Sequence, residues 1–296
     1  MTYIVTIAQE GSISRAAERL YMAQSSLSQS LQRYEAELGT KLFMRTASGV
    51  RPTFCGELFI KRARHILQQY HQLKSELGDI AQLPGGRIEF GISTFRGTYL
   101  LPHVMQRFYR LYPDVEVVIH EEHSMRLQEM IAAGELDMAL IIPQSEEMHG
   151  RCDPVMRDEV MIIAHEDHPV MRHTRENDDG QLFVEMRDAA QFPFFLSGRS
   201  TMLGGIAARL FSSCDAYPKA LSSNMSAQLS AAMARQGLGL ALTYRSCVEP
   251  SPHVRHLAIG QARFYLHLAL IYPPDGYQSR ATRALAGLIR QYMAKP

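Results

Sequence analysis

Apolar residues along the first eighty positions recur every three or four places, the spacing of helices with one buried face. Ser12 is a good N-cap for a helix over Ile13 to Leu20, with Ala16, Ala17 and Leu20 on one side. Tyr21-Met22-Ala23 turns the chain. A second helix over Gln24 to Leu38 carries Leu27, Leu31, Tyr34 and Leu38 at intervals of four, three and four, a single buried stripe. Ala47-Ser48-Gly49, flanked by Leu42-Phe43 and Val50, predicts a small hairpin. Thr53 then caps one long helix to about Gln82, in which Phe59, Ala63, Ile66, Tyr70, Leu73, Leu77 and Ile80 form an a/d seam. Leu83-Pro84-Gly85-Gly86 breaks it.

Beyond the break, strands and helices alternate. Strands are expected over 87–93, 115–119, 138–142 and 160–165, with a helix marked by Leu101, Val104, Phe108 and Leu111 and another over 125–133. A second series follows, with strands 194–196, 221–223 and 240–243 and helices 201–212 and 226–235. A long strand over 264–272 and a terminal helix over 280–292 complete the chain. Alternation of this kind implies parallel α/β units with crossover helices. The first series has few strands of its own, so the late strand and final helix are expected to return to it. The result is two lobes joined by two crossovers, with a cleft between.

The solvent face of the second helix begins with Ser25, Ser26, Ser28, Gln29, Gln32 and Arg33, short donors and acceptors plus one guanidinium fork. Such side chains read base edges and grip phosphate in a major groove, and a recognition helix presents mainly its N-terminal residues. A solvated helix face would look similar. The hairpin decides between them, because Arg45 and Arg51 stand on either arm, suited to phosphate or the minor groove. Thr53 closes the set of expected DNA contacts as well as capping the next helix. The seam from Phe59 to Ile80 is too narrow for a globular core, so it is expected to pair with a copy of itself.

The order RAAERL, then Ala23-Gln24-Ser25-Ser26-Leu27-Ser28, then Tyr34-Glu35-Ala36-Glu37-Leu38-Gly39, then KLFMRT and RPT resembles the DNA-binding region of LysR-type transcriptional regulators. Two departures stand out. Ser25 occupies a position where many relatives have proline, which leaves weakly capping Ala23 and makes Ser25 or Ser26 the expected cap. The stretch Met1 to Glu10 also looks shorter than the family's usual first helix. The resemblance loosens after residue 60, with similar turns at Gly134-Glu135-Leu136-Asp137 and Gln236-Gly237-Leu238-Gly239. It implies an α+β multidomain fold. An N-terminal all-α winged helix-turn-helix would span residues 1–56, and a dimerising linker helix with its hinge 57–84. A two-lobed α/β effector domain like periplasmic binding proteins would span 85–296, lobe I being about 87–163 and 266–296 and lobe II about 164–265. The implied partners are double-stranded promoter DNA, a small-molecule effector and further copies of the chain as dimer or tetramer, with RNA polymerase as an additional candidate.

Composition changes the picture little. With 296 residues, 46% of them hydrophobic, the chain can fill two or three globular domains. Net charge is only +1, yet residues 1–65 hold nine Lys or Arg against five Asp or Glu, so basic charge gathers at the helix-turn-helix. No apolar run approaches the roughly 20 residues of a membrane span and no leader pattern opens the sequence, so a cytoplasmic protein without membrane contact is expected. Cys55, Cys152, Cys214 and Cys247 are scattered, which favours free thiols over a redox pair or zinc site. No Walker-type G-x-x-x-x-G-K, G-x-G-x-x-G, G-x-S-x-G or H-E-x-x-H is present, so no enzyme activity and no cofactor are expected. His120-Glu121-Glu122-His123 and His165-Glu166-Asp167-His168 follow strands, where neighbours alternate between faces, and read as solvated loops rather than metal ligands.

Effectors of open α/β sheets bind beyond the strand ends, where helix N-termini favour anions. Three such points are expected to face the cleft: Ser93-Thr94-Phe95, the SGRST stretch with Ser197, Arg199 and Thr201, and Asn224-Met225-Ser226. Their hydroxyls and amide suit a small carboxylate, although each also suits plain helix capping. Arg96 and Arg199 add candidate charge, and Phe95 and Met202 a candidate apolar wall. The resemblance supports Ser93, Thr94 and Ser197, since similar positions in the family line the effector pocket. Two other readings stay open: a regulator answering to cysteine oxidation or to no ligand, and an enzyme or ligand carrier with an appended helix-turn-helix.

Overall fold

Met1 to Glu10, although short, do form a first helix. In the computed structural model, which describes residues 1–46, 49–81, 85–143, 151–199, 201–217, 219–274 and 276–294, α1 runs Thr2–Glu10 and ends on Gly11 with φ 58°. Its Ile4, Val5 and Ile7 are buried. They pack with Ala16 and Ala17 of α2 (Ile13–Arg19) and with Leu27 and Leu31 of α3 (Gln24–Leu38). Ser12 caps α2 as expected, its Oγ accepting from the Arg15 N–H at 3.4 Å. Neither Ser25 nor Ser26 caps α3. Ala23 is the N-cap without a side-chain bond, and both serines already lie inside the first turn, exposed. The apolar stripe also ends early. Leu38 is exposed, and the inward position belongs to Glu35, only 5% exposed.

Strands β1 (Phe43–Thr46) and β2 (Gly49–Pro52) pair antiparallel with Met44 opposite Arg51 and Arg45 opposite Val50. The expected turn residues Ala47 and Ser48 lie outside the described residues, as does Leu83-Pro84. Helix α4 runs Phe54–Ile80 and begins against Leu42, where a Cβ on Gly56 would overlap the Leu42 carbonyl. Its seam divides. Phe59 packs half-buried against the N-terminal core and Ala63 is buried, whereas Ile66, Tyr70, Leu73, Leu77 and Ile80 are exposed. Another face of α4 docks on the effector domain. The His65 Nδ1 meets the Ala133 carbonyl at 2.9 Å, Gln68 donates to Asp137 at 2.5 Å, and Asp79 accepts from Tyr277 and from the Arg280 N–H at 2.9 and 2.7 Å.

The first lobe follows as β3 (Gly86–Ile92), α5 (Thr94–Leu111), β4 (Val115–Glu121), α6 (Ser124–Ala132) and β5 (Met138–Ile141), with β3 parallel to both β4 and β5. Next comes β6, Arg151–His165, nine residues longer at its start than the sequence suggests. Its extension includes Asp158 and Glu159, which look like surface residues but are 0% and 1% exposed, neutralised by Arg96 and Arg245. The second lobe contains β7 (Arg175–Glu176), β8 (Leu182–Val184), α7 (Met186–Ala189), β9 (Pro193–Ser197), α8 (Met202–Ser213), β10 (Lys219–Met225), α9 (Ala227–Arg235), β11 (Ala241–Tyr244) and β12 (Val254–Ile259). Strand β13 (Phe264–Tyr272) and α10 (Arg280–Met293) then return to the first lobe, where β13 pairs with β5 and α10 packs along α5.

The crossover is built from strands that pair with each other. Up to Val160, β6 pairs antiparallel with β13; beyond it, β6 pairs with β12. Because Val160 faces both Phe264 and Tyr244, β12 and β13 lie in line along one edge of β6 and β11 along the other. The outgoing and returning chain therefore form one ribbon between the lobes. No helix among the described residues is long and apolar enough to cross a membrane.

Candidate functional site

Two surfaces carry the expected chemistry. On the N-terminal domain, Ser25, Ser26, Gln29, Gln32 and Arg33 are exposed along one side of α3, with Ser28 half-buried. Leu27 and Leu31 on the opposite side are anchored in the core. Arg45 and Arg51 are both exposed, but their register puts them on opposite faces of the ribbon. Thr53 has its hydroxyl turned inward, donating to the Lys41 carbonyl at 2.6 Å and accepting from the Gly56 N–H at 3.0 Å. Glu35, which patterning assigns to the polar side, holds the wing against α3. Its carboxylate accepts from the Leu42 and Phe43 N–H groups at 2.8 and 3.2 Å and from Lys41 Nζ at 2.7 Å. Burial raises its pKa, but these donors outweigh burial and hold the carboxyl below the usual range.

The second surface is a cleft of about 320 Å³ at the strand ends between the lobes. The N-termini of α5, α6, α8 and α9 all reach it, through Thr94, Ser124, Met202 and Ala227. Three of these helix starts are satisfied by their own caps. Thr201 Oγ1 accepts from the Gly204 N–H at 3.1 Å, Ser226 Oγ from Leu229 at 3.2 Å, and His123 Nδ1 from Arg126 at 3.2 Å. Helix α5 differs, because among the described residues its N-cap Ser93 makes no side-chain capping bond. Ser93, Thr94 and the first N–H groups of α5 are thus donors the fold leaves for a ligand.

Of the eight expected effector residues, Ser93, Thr94, Phe95, Thr201 and Ser226 line the cleft. Ser197, Arg199 and Asn224 do not. Ser197 is buried at the end of β9, Arg199 is exposed outside the cleft, and Asn224 lies within β10 rather than after it. Thr201 spends its hydroxyl fully, accepting from the Gly204 N–H and donating to the Gly198 carbonyl, whereas Ser226 uses its oxygen as the acceptor of the Leu229 N–H. The cleft also takes in Glu121, Glu122, His123 and Tyr244, which the sequence reading left out. Strand β4 runs to Glu121, and its end carries the following loop into the cleft wall instead of into solvent.

Arg96 is 3% exposed and joins the lobes. It is ion-paired with Asp158 of the crossover, donates to Ser246 Oγ at 2.8 Å, and stacks 3.8 Å over the Tyr244 ring. Among the described residues its Nη2 has no hydrogen-bond partner. Tyr99 of α5 accepts from Arg235 of α9 at 2.8 Å, a second tie between the lobes. The histidine clusters do other work: His120 bonds Glu89 at 2.6 Å, His123 caps α6, and His165 stacks on His253 at 6.1 Å. All four cysteines are free. Burial pushes the Cys247 thiol up to about 11, and burial with Asp153 raises that of Cys152. Cys214 hydrogen-bonds the Leu210 and Phe211 carbonyls.

Comparison with known proteins matches both surfaces to one family. The profile of the bacterial regulatory helix-turn-helix proteins of the lysR family matches residues 1–57, and that of the LysR substrate binding domain matches residues 81–294. The HTH-type transcriptional regulator YcgK of Bacillus subtilis (strain 168) is 34% identical over 164 residues, 55% of this chain and 51% of its own length. The chain thus spans about half the length of the curated relatives it matches in this way. A full-length OxyR variant from Pseudomonas aeruginosa superposes with a TM-score of 0.72 at 25% identity, covering 98% of this chain and 93% of that one. Full-length CbnR, solved in complex with its target DNA, shares the fold with a TM-score of 0.68 at 17% identity, over 98% of each chain. Carrying the helix-turn-helix at its start and the substrate-binding domain over the remainder, the chain belongs to the LysR family of transcriptional regulators.

Proposed function

We propose that this protein binds promoter DNA through α3 and the β1–β2 wing, as a dimer or tetramer, and that a small carboxylate-bearing effector in the cleft sets its output. The N-terminal unit is residues 1–56, the linker 57–84, and the effector domain 85–296 with lobes near 87–163 plus 266–296 and 164–265. The observation that carries the effector half is the uncapped N-terminus of α5 with Ser93 and Thr94, opening into a cleft where three neighbouring helices are capped. The exposed row Ile66, Tyr70, Leu73, Leu77 and Ile80 supports pairing of α4 with a second copy. A two-fold pair of α3 helices would then read half-sites about one helical turn, or a multiple of it, apart. Closure of the lobes around the effector would shift the spacing between DNA-binding pairs. RNA polymerase is the further partner of such a regulator.

Thiol chemistry has less support. Cys247 and Cys152 are held away from the thiolate form, the state that reacts with oxidants. The DNA half is tested by selecting bound duplexes from a random pool with full-length protein and titrating the winners. Gln29→Ala is expected to change base preference, and Arg33→Ala to weaken all sequences alike and lower the salt slope by about 1. Unchanged affinity and preference in both variants would remove α3 from the interface.

A further inference from the structure

The cleft holds charge that a simple carboxylate does not use. Arg96 is matched inside the protein by Asp158, so this pair adds no net charge. Glu121 and Glu122 line the same cavity, are exposed, and also border a neighbouring pocket with Arg87 and Arg126. Arg126, the nearest cation along the chain, is taken by Glu129 at 2.9 Å and Glu135 at 3.9 Å. Against these two carboxylates stand the N-termini of α5, α6, α8 and α9, each equivalent to roughly half a positive charge. The cavity therefore offers both kinds of group side by side: donors at Ser93–Thr94 and, on the neighbouring strand end where the Glu122 N–H meets the Ile92 carbonyl at 3.2 Å, a pair of acceptors. Phe95, Ile142, Met202 and Leu203 supply an apolar wall.

Resting on the effector reading above, we infer that the ligand is a small zwitterion, an α-amino acid with an apolar side chain. Its carboxylate takes the uncapped N–H groups and hydroxyls of the α5 start. Arg96, only 3% exposed, also lines the cavity, and among the described residues its buried Nη2 has no hydrogen-bond partner. Its ammonium donates three hydrogen bonds toward Glu121 and Glu122, and its side chain lies on the apolar wall. A dicarboxylate of the same size meets two like charges, and a plain carboxylate leaves both glutamates unused. A volume of about 320 Å³ accommodates a ligand of this size together with some water.

The test uses full-length protein and matched series: leucine, methionine and phenylalanine, their des-amino acids (such as 4-methylpentanoate and 3-phenylpropanoate), and their decarboxylated amines. Thermal shift followed by calorimetric titration is expected to show at least one amino acid binding tenfold or more tightly than both of its analogues. Glu121→Gln with Glu122→Gln should weaken that amino acid roughly ten- to hundredfold, as loss of a charge-assisted bond does, without weakening the des-amino acid. Both positions are exposed, and an unchanged far-ultraviolet spectrum and melting temperature confirm the fold of the variant. Des-amino acids that bind wild type as tightly as amino acids overturn the zwitterion while leaving a carboxylate effector in place. An amino-acid preference that survives the double substitution overturns it too. Failure of every compound to bind also overturns it, and the DNA selection then judges the regulator reading independently.

Discussion

Glu35→Ala tests whether one buried carboxylate fixes the wing to the recognition helix. In the folded protein Glu35 accepts two N–H groups, from Leu42 at 2.8 Å and Phe43 at 3.2 Å, and both residues are buried. Truncation leaves these donors without an acceptor where water is scarce. Each unsatisfied buried group costs about 1–3 kcal/mol, so the expected loss for the two is about 2–6 kcal/mol. The Lys41 contact adds little, because its ammonium is mostly in water. A loss of that size is a large fraction of a domain's stability and falls on the strand carrying Arg45. Hydrogen exchange with mass analysis of peptides covering residues 40–52 should show lost protection at Leu42 and Phe43, and urea titration the lower stability. Glu35→Gln keeps one acceptor oxygen and should fall between. The depressed folded-state pKa fixes the sign of the pH effect. Stabilisation by Glu35 is fully present above its ordinary value of 4.5 and is lost as pH falls through the lower folded value. Equal protection at both amides, with stability within about 0.5 kcal/mol of wild type, would show that Glu35 is a bystander.

Leu73→Asp with Leu77→Asp places charge on the exposed part of the α4 seam and should abolish dimers in analytical ultracentrifugation without unfolding the chain. Full-strength dimers in that variant would move the interface elsewhere. Thr94→Val removes a hydroxyl at the α5 start and should weaken the effector by about 1.5–3 kcal/mol, roughly ten- to hundredfold, while DNA affinity stays as it was; an unchanged effector midpoint would refute its role. Asp137 sits at the joint between α4 and the first lobe, where burial, reinforced by Glu89, raises its pKa from 3.8 to about 6. The fold disfavours its ionised form. Stability should therefore fall as pH rises from about 4 to 6, by up to about 3 kcal/mol. Asp137→Asn should flatten that part of the curve in urea titrations, and a variant curve parallel to wild type would rule the group out.

Local pattern was enough for the helix-turn-helix, the long helix and the alternating elements, because helix and strand periods, caps and turn residues are written in neighbouring positions. Gln24–Leu38 and Phe264–Tyr272 match their expected spans, and the cap at Ser12 is where spacing puts it. Misreadings fall where a partner distant in sequence changes what a residue costs to bury. Asp158 and Glu159 break an apolar pattern, yet β6 runs through them because Arg96 and Arg245 arrive from elsewhere to neutralise them. Glu35 looks like a surface residue of α3 until the wing folds back and offers it two N–H groups. The cleft shows the same division. Sequence proposes hydroxyls at helix starts, but only tertiary structure decides that the Thr201 and Ser226 oxygens cap their own helices while the Ser93 hydroxyl leaves α5 uncapped. Likewise, only the docking of β4 beside β3 turns Glu121 and Glu122 from loop charges into one wall of the cavity. Residue type fixes what chemistry a position can perform, and long-range packing fixes which groups remain unsatisfied and so available to a ligand.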